Sequence, residues 1–323
     1  MRKIRVGVIG VGYFGQFHVE KYAKMKEVEL VGVVDINATR AREIAKRYHT
    51  QPFLHHSELF GKVQAVSITV PTTYHHSITK DFFLQGVDVL LEKPIANTLE
   101  EADELVELAR SKGLILQIGH LERFNGAFLA IEKMVKNPRL IQSHRLGPFS
   151  GRGAEVNVVL DLMIHDIDIV LSLVNSRVKE VRAIGIPVLT RSFDMAQAWI
   201  EFENGCKAIL TASRVSTEKV RKAWIFQPNR ILSIDFLFQK ASLSKKDLLH
   251  PKGQPPDMVT QEIPVNKNDH LEVEITSFLH SVRNRKEARV SGWEGRRALE
   301  VAFQILQKMG NVDGRGSASR GTQ

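Results

Sequence analysis

Two alternating residue patterns dominate the first 120 residues of the chain. Short runs of consecutive apolar residues are typical of strands buried on both faces, and the segments between them have the spacing of amphipathic helices. Strands that alternate with helices form a parallel sheet covered by helices on both sides. We therefore predict an α/β fold in which residues 1–120 form a doubly wound parallel sheet. The predicted strands lie at 4–9, 28–34, 65–70, 87–91 and 114–118, and the predicted helices at 13–25, 38–48, 75–85 and 99–111.

The pattern changes after residue 120. Helices predicted at 124–136 and 158–173 are followed by strand-like runs at 181–189, 196–202, 206–212 and 222–226. Asn204-Gly205 separates two of these runs and is a strong hairpin signal. Residues 121–310 are therefore predicted to form a second α/β domain with an open, mainly antiparallel sheet whose free face suits a partner. Helices at 269–284 and 293–309 end this domain, residues 241–268 are predicted as a loop, and residues 311–323 as a flexible tail.

Length and cysteine content agree with this division. At about 150 residues per domain, 323 residues predict two domains. The single cysteine, Cys206, fits a reducing cytoplasm, and the first residues run directly into a predicted strand, so we expect no secretory signal. The most apolar long window, 156–174, contains Asp161 and His165 among other polar residues, which would be costly inside a bilayer. No membrane span is expected.

The formal net charge of +9 attracts polyanions. Lys and Arg are spread along the chain and form no basic run interleaved with aromatic residues, so the sequence does not favour a nucleic-acid partner. A small substrate or cofactor that bears phosphate fits the charge equally well.

A glycine-rich loop joins the first predicted strand to the first predicted helix. Its sequence is Gly10-Val11-Gly12-Tyr13-Phe14-Gly15. In this position the three glycines allow a tight turn, close approach of a pyrophosphate to the backbone, and close packing of helix on strand. The helix N-terminus offers N–H groups to the phosphates. The loop therefore predicts a dinucleotide cofactor.

Asp35 stands twenty residues after Gly15, at the end of the second predicted strand. A carboxylate there accepts hydrogen bonds from the adenosine ribose and repels a 2′-phosphate, which favours NAD over NADP. Arg40 lies close by in the sequence, and it keeps NADP as the alternative.

Two further segments follow predicted strands, at the sheet edge where open α/β folds bind ligands. Glu92 and Lys93 follow the strand at 87–91, and Pro71 and His75 follow the strand at 65–70. Pro71 and His75 are expected to shape the cofactor pocket. Lys93 is a candidate catalytic residue, and the alternative is a surface lysine in a turn.

A polar stripe occurs in the predicted helix 158–173. Asp161, His165 and Asp168 recur at i, i+4 and i+7 and would share one face, although their neighbours are apolar and indicate a buried helix. His165 beside a carboxylate suits general acid or base chemistry near neutral pH. The alternatives are a hydrogen-bonded core histidine and a metal site of one His and two carboxylates.

These residues together resemble the Gfo/Idh/MocA family, which includes glucose–fructose oxidoreductase and inositol dehydrogenase. The combination is more specific than any one motif, and it extends from residue 1 to about 175. The matching features are the glycine loop, Pro71 with His75, Glu92-Lys93-Pro94, the stretch 119–125 with Arg123-Phe124-Asn125, and Asp161-x-x-x-His165-x-x-Asp168.

The resemblance implies an N-terminal Rossmann domain that binds NAD, a second domain for substrate binding and oligomerisation, and oxidation of a CH–OH group on a sugar-like substrate. It implies that His165 takes the hydroxyl proton, that Asp161 orients its ring, and that Lys93 stabilises the developing alkoxide. The residues expected at the cofactor are Gly10, Gly12, Tyr13, Phe14, Gly15, Asp35, Arg40, Pro71, His75, Glu92 and Lys93, and those expected at the substrate are Lys93, Arg123, Arg145, Asp161 and His165. No metal is expected.

Within the family, the stretch 119–125 and His144-Arg145-Leu146 look like members that oxidise C3 of UDP-N-acetylglucosamine. Arg123 and Arg145 would suit a diphosphate. The alternatives are a free polyol, inositol or hexose as substrate, and, as a different class, a non-enzymatic NAD-binding redox sensor. Binding alone needs neither Lys93 nor His165, which argues against the sensor. The free sheet face predicts a homodimer or homotetramer.

Overall fold

The computed structural model describes residues 2–151, 156–247 and 258–310. The chain divides into two compact units, each made of two separate stretches of sequence. The first unit contains Met1–Leu129 and Asn266–Glu300, and the second contains Ala130–Val265 and Val301–Gln323. The predicted tail, 311–323, lies outside the described residues.

The strands of the first unit form one parallel sheet in the order β3-β2-β1-β4-β5-β6. The order reverses direction at β1, whose neighbours are β2 and β4, and this switch point is where open α/β sheets bind ligands. The strands are β1 Ile4–Ile9, β2 Val28–Val34, β3 Gln51–Phe53, β4 Ala65–Ile68, β5 Asp88–Glu92 and β6 Leu116–Gly119, and the helices are α1 Gly15–Lys24, α2 Ala38–Arg47, α3 His75–Leu84 and α4 Leu99–Lys112. The predicted parallel sheet is confirmed, and the short, mostly exposed β3 was not predicted.

Local sequence signals set the ends of these helices. The side chain of Thr98 accepts a hydrogen bond from the Glu101 backbone N–H at the start of α4, and Gly113 ends that helix in the left-handed conformation. Asn37 caps α2 in the same way through Arg40 N–H. These signals are readable from sequence because they involve residues only a few positions apart.

The predicted domain boundary at residue 120 differs from the observed units. After the second unit, the chain returns to the first unit through α7 His270–Asn284. Leu271, Ile275 and Phe278 of this helix belong to the same buried cluster as Val6 and Val19. The apolar face of α7 therefore completes the core of the first unit, and the compact units are not separated by a single boundary along the sequence.

The second unit is built on a mixed sheet in the order β14-β13-β12-β11-β7-β10-β9-β8. Among the described strands of this sheet, β7 and β10 pair in parallel and the other neighbours pair antiparallel. The strands are β7 Leu140–Leu146, β8 Val178–Ile186, β9 Met195–Phe202, β10 Lys207–Ser213, β11 Val220–Gln227, β12 Arg230–Asp235, β13 Lys240–Lys246 and β14 Met258–Ile263, and the remaining helices of the chain are α5 Gly126–Ile131, α6 Ile164–Leu173 and α8 Gly292–Met309. The predicted open, mainly antiparallel sheet is confirmed.

Several elements of this sheet were predicted incorrectly. Residues 240–246 and 258–263 form strands β13 and β14, where a loop was expected over 241–268. Their outward positions are polar, and Ser244 Oγ lies 2.7 Å from Thr260 Oγ1 across the pair. In β14 every residue from Met258 to Glu262 is exposed, so this strand has no buried apolar face and its sequence resembled a loop. The helix expected at 124–136 is shorter, and strand β7 was not predicted.

Candidate functional site

The glycine loop has the geometry that its sequence predicts. Gly10 has a positive φ of 83°, and its carbonyl accepts a 2.5 Å hydrogen bond from Thr69 Oγ1. A Cβ atom at Gly15 would overlap the Gly10 carbonyl, whereas a Cβ at Gly12 would meet no atom within 4 Å. The loop therefore combines a tight turn and close packing at its ends with open space at its centre, as a bound pyrophosphate requires.

Asp35 follows β2 and fixes the loop from the other side. Its Oδ2 accepts from Val11 N–H at 3.0 Å, and its Oδ1 accepts from Asn37 N–H at 2.9 Å. Next to it Ile36 is 95% exposed, a feature that sequence reasoning missed. An isoleucine exposed at this place can cover the flat face of an adenine ring.

Arg40 reaches across the glycine loop. Its Nε donates to Val11 O at 2.8 Å, and its Nη2 donates to Gln16 Oε1 at 3.0 Å. A third nitrogen, Nη1, lies 3.1 Å from Glu43 Oε2. Each of the three guanidinium nitrogens therefore has a partner within the protein, which agrees with NAD rather than NADP as cofactor.

His75 has a supporting position. It is 1% exposed, its Nδ1 lies 2.8 Å from Pro94 O, and its Nε2 lies 2.9 Å from Val70 O. Burial lowers the pKa of His75 below its ordinary value. The ring thus joins the segment after β4, which includes Pro71, to the segment after β5, and it is suited to hold both loops rather than to transfer protons.

Glu92 and Lys93 lie at the carboxyl end of β5. Lys93 is half-buried, and its backbone N–H lies 3.3 Å from Glu92 Oε2. The other carboxylate oxygen, Oε1, is 3.3 Å from Nε2 of His18 on α1. A Cβ at Gly119 would lie 2.9 Å from the same oxygen. Glycine at 119 therefore leaves room for the Glu92 carboxylate.

Sequence reasoning missed His18. Its only local signal is its position three residues after Gly15, and it is completely buried in the structure. Its Nδ1 lies 3.1 Å from Ser67 Oγ, so both ring nitrogens face polar groups. The partners come from β4 and the end of β5, and such long-range contacts leave no trace in the sequence around residue 18.

The segment after β6 is more buried than expected for a substrate-binding stretch. His120 is 1% exposed, and burial, followed by the charges of Arg123 and Lys93, lowers its pKa to about 3. The imidazole is therefore neutral at physiological pH. Arg123 Nη2 donates to Glu294 Oε1 at 3.1 Å, and the Arg123 side chain is only 10% exposed.

In the second unit, the predicted polar stripe begins in a π-helical turn. Val159–Met163 form this turn, and α6 continues from Ile164. Asn157 Oδ1 caps the turn by accepting from Val159 and Leu160 N–H. Asp161 and His165 are half-buried, whereas Asp168 is 2% exposed. A π turn inside a helix is frequent at functional sites and changes the register that uniform α-helical spacing predicts.

Arg145 forms a buried ion pair that was not predicted. Its Nε lies 2.7 Å from Asp166 Oδ2, and Ser143 Oγ donates to Asp166 Oδ1 at 2.7 Å. Arg145 and Asp166 are 2% and 3% exposed. This ion pair anchors α6 to β7 through Asp166, the residue that follows His165 in the sequence. It gives Arg145 a structural role and does not support its expected contact with substrate.

The described ranges, 2–151, 156–247 and 258–310, bear on the metal-site alternative and on membrane insertion. No group of three or more His, Cys, Asp and Glu side chains within them could hold a metal ion. In the same residues, every helix is too short or too polar to cross a bilayer.

Comparison with known proteins identifies the family. A profile described as "Oxidoreductase family, NAD-binding Rossmann fold" matches residues 4–120, and a Gfo/Idh/MocA C-terminal domain profile matches residues 130–228. Together these matches cover more than half of the chain.

Individual relatives agree. A UDP-N-acetylglucosamine 3-dehydrogenase from Acidithiobacillus ferrooxidans is 37% identical over 94% of this chain and 97% of its own length. A crystal form of that named enzyme superposes with a TM-score of 0.89 at 36% identity, covering 95% of this chain and 98% of the other. Scyllo-inositol dehydrogenase from Lactobacillus casei, with bound NAD(H) and scyllo-inositol, shares the fold with a TM-score of 0.79 at 19% identity, covering 95% and 97%. The chain therefore belongs to the Gfo/Idh/MocA oxidoreductase family and is an NAD-binding dehydrogenase that acts on CH–OH groups.

Proposed function

We propose that the enzyme oxidises a nucleotide sugar, and that the substrate is UDP-N-acetylglucosamine, oxidised at C3. The observation that carries this proposal is the 37% identity, over nearly the full length of both chains, to a protein named for that activity. The net charge of +9 also suits a substrate that bears a diphosphate.

The first unit would hold the cofactor through backbone and side-chain groups already described. The pyrophosphate would lie against Gly12 at the N-terminus of α1, where the N-cap residue Phe14 makes no side-chain capping hydrogen bond. Asp35 would accept hydrogen bonds from the ribose hydroxyls, and Ile36 would cover the adenine. When bound, NAD supplies the acceptor for the hydride that leaves the substrate carbon.

The chain's own residues would control the hydroxyl that is oxidised. The ammonium group of Lys93 would donate a hydrogen bond to the hydroxyl oxygen and stabilise its developing negative charge. His165 would accept the hydroxyl proton, and Asp161 would hold the imidazole in the orientation that exposes a free nitrogen lone pair. Asp166 and Arg145 would keep α6 in the register that presents His165.

A substrate panel tests this proposal. Purified protein is assayed for NADH formation with UDP-N-acetylglucosamine, UDP-glucose, free N-acetylglucosamine, myo-inositol and glucose. We expect the highest kcat/KM with UDP-N-acetylglucosamine, and a slower reaction when deuterium replaces hydrogen at C3 but not at C4. A higher kcat/KM with myo-inositol or glucose would support the free-polyol alternative, and an isotope effect at C4 would contradict oxidation at C3.

We also propose that the enzyme is a homodimer or homotetramer whose subunits meet through the free face of the second unit's sheet. Ile184, Ile186 and Trp199 project from this face and are 56%, 46% and 37% exposed. Large apolar side chains grouped on one sheet face are typical of an interface. Light scattering should give a mass of at least twice 36.4 kDa, and Trp199→Arg should lower it. A monomer at micromolar concentration would contradict this proposal.

A further inference from the structure

A second carboxyl group lies near Glu92, and the proposed reaction does not use it. Glu274 on α7 is completely buried, and neither of its carboxyl oxygens has a hydrogen-bond partner among the described residues. Its backbone carbonyl accepts a 3.1 Å hydrogen bond from Gln117 Nε2 on β6. A buried carboxyl group without partners is costly when ionised, so its presence at this point needs an explanation.

A connected set of buried polar groups leads from α1 and β4 to Glu92. Tyr22 OH lies 2.8 Å from Ser67 Oγ, Ser67 Oγ lies 3.1 Å from His18 Nδ1, and His18 Nε2 lies 3.3 Å from Glu92 Oε1. Unlike these buried groups, the Glu92 side chain is 14% exposed. Glu92 therefore links the buried set to the carboxyl edge of the sheet.

Two titratable groups from two different elements interact electrostatically with Glu274. Glu92 faces it from the end of β5, and Tyr22 faces it from α1. Burial and the negative charge of Glu92 raise the pKa of Glu274 well above 4.5, and burial also raises the pKa of Tyr22. Burial and the neighbouring Glu92 carboxyl both favour the protonated form of Glu274. Among the described residues, His18 and Lys93 contact Glu92, and His120 interacts electrostatically with Glu92, Lys93, Arg123 and Glu294.

We propose that Glu92 and Glu274 act as an acid–carboxylate pair that responds to the charge of the nicotinamide ring. The oxidised ring is positive and the reduced ring is neutral. A positive charge near the edge of the pair favours ionisation of Glu274, so oxidised cofactor would bind with partial release of the Glu274 proton to solvent. Reduced cofactor would bind without that release. The inference rests on the proposed function, because it needs the nicotinamide half of NAD to lie at the end of β5.

Linkage makes this proposal measurable. If NAD⁺ lowers the pKa of Glu274, then ionisation of Glu274 tightens NAD⁺ binding by the same factor. The ratio of the Kd for NADH to the Kd for NAD⁺ should rise with pH, by about tenfold for each unit by which NAD⁺ lowers that pKa. A group that only supports the fold would change both dissociation constants together.

Calorimetry can test the proposal on the full-length protein. NAD⁺ and NADH are each titrated at neutral and alkaline pH, in two buffers with different enthalpies of ionisation, and the difference between buffers gives the protons released. We expect more release with NAD⁺ than with NADH. The decisive variant is Glu274→Gln, which should bind both cofactors and lose most of the difference in release. Glu272→Gln, on the exposed side of the same helix, should keep it.

A second variant covers the case in which Glu274→Gln fails to fold. Glu92→Gln removes the partner carboxylate and should also reduce the difference between NAD⁺ and NADH. The proposal is overturned if both cofactors release the same number of protons in the unchanged protein, or if Glu274→Gln keeps the full difference. Such a result would leave the proposed function intact as long as the unchanged protein still binds both cofactors and oxidises its substrate.

Discussion

The two units of this protein place their chemistry on different kinds of structure. In the first unit, the candidate residues follow strand ends, and the proposed cofactor site consists mainly of backbone that glycines make accessible. In the second unit, the candidate residues lie on a largely buried helix whose first turn is a π turn. Recognition by backbone depends on short sequence motifs. The arrangement on the buried helix depends on side chains whose partners are distant in the sequence. The comparison predicts that changes in the first unit mainly alter cofactor binding and that changes near α6 mainly alter turnover.

The largest effect is expected from His165→Ala. Loss of a positioned general base should lower kcat by roughly 10²–10⁴-fold, while the Kd for NAD stays unchanged because the glycine loop and Asp35 are intact. Stopped-flow or steady-state kinetics together with NAD titration measure both quantities. Ser172→Ala, on an exposed position of the same helix, is the matched control. A His165→Ala protein that is less stable but fully active per folded molecule would identify His165 as a core histidine.

Lys93→Ala tests whether one residue of the first unit affects turnover rather than cofactor binding. Because Lys93 is proposed to act on the same oxygen as His165, this variant should also lose kcat rather than cofactor affinity, by roughly 10²–10³-fold. If the two residues act as a unit, the double variant should lose much less than the product of the single effects. Fully multiplicative losses in kcat would argue that Lys93 and His165 act on separate steps.

Asp166→Ala tests the anchor of α6. The substitution leaves the buried Arg145 guanidinium without its carboxylate, and removal of one partner from a buried ion pair costs about 3–5 kcal/mol of unfolding free energy. Denaturant unfolding measures this loss. Glu180→Ala breaks an exposed ion pair with Arg182 in the same unit and should cause no measurable change. An equal response in both variants would mean that the Arg145–Asp166 pair does not anchor the helix.

Asp35→Ala should change cofactor binding without changing the chemical step. Loss of hydrogen bonds to a charged acceptor costs about 1.5–3 kcal/mol, which corresponds to about 10–100-fold weaker NAD binding. The preference should also move toward NADP, because the charge that repels the 2′-phosphate is gone. The ratio of kcat/KM for NAD and NADP is the measurement, with Asp35→Asn as the variant that keeps an acceptor for Val11 N–H. An unchanged ratio would contradict the role of Asp35 at the ribose.

The smallest expected effect is the pH dependence of stability in Glu274→Gln. The folded protein holds a proton on Glu274 that the unfolded chain releases above pH 4.5, so this residue makes stability fall as pH rises from 4.5 toward the raised folded pKa. Glutamine does not titrate. The stability of the variant relative to the unchanged protein should therefore increase with pH over that interval. Urea unfolding at several pH values measures the difference, and a difference independent of pH would show that Glu274 is ionised in the folded state.

Much of the first unit could be predicted because its signals are local. The buried strands, the glycine loop, Asp35 at the end of β2 and the Thr98 cap each depend on residues close together in the chain. In the second unit, the sequence showed the alternation of apolar and polar residues in β9 and β10, but it did not predict β13 and β14. Their serine- and threonine-rich outward faces make sense only in the sheet, where strands far apart in sequence become neighbours.

The sequence by itself determined the family, the parallel sheet of the first unit and the identity of the candidate residues. It could do so because glycine conformation, helix caps and apolar periodicity each depend on residues only a few positions apart. The tertiary structure alone decided that α7 completes the first core, that Arg145 pairs with Asp166, and that His18 contacts Glu92 and Glu274 lies near it. These contacts join residues separated by 21 to more than 150 positions. Burial and charge at such distances depend on how the whole chain packs, and no local pattern records them.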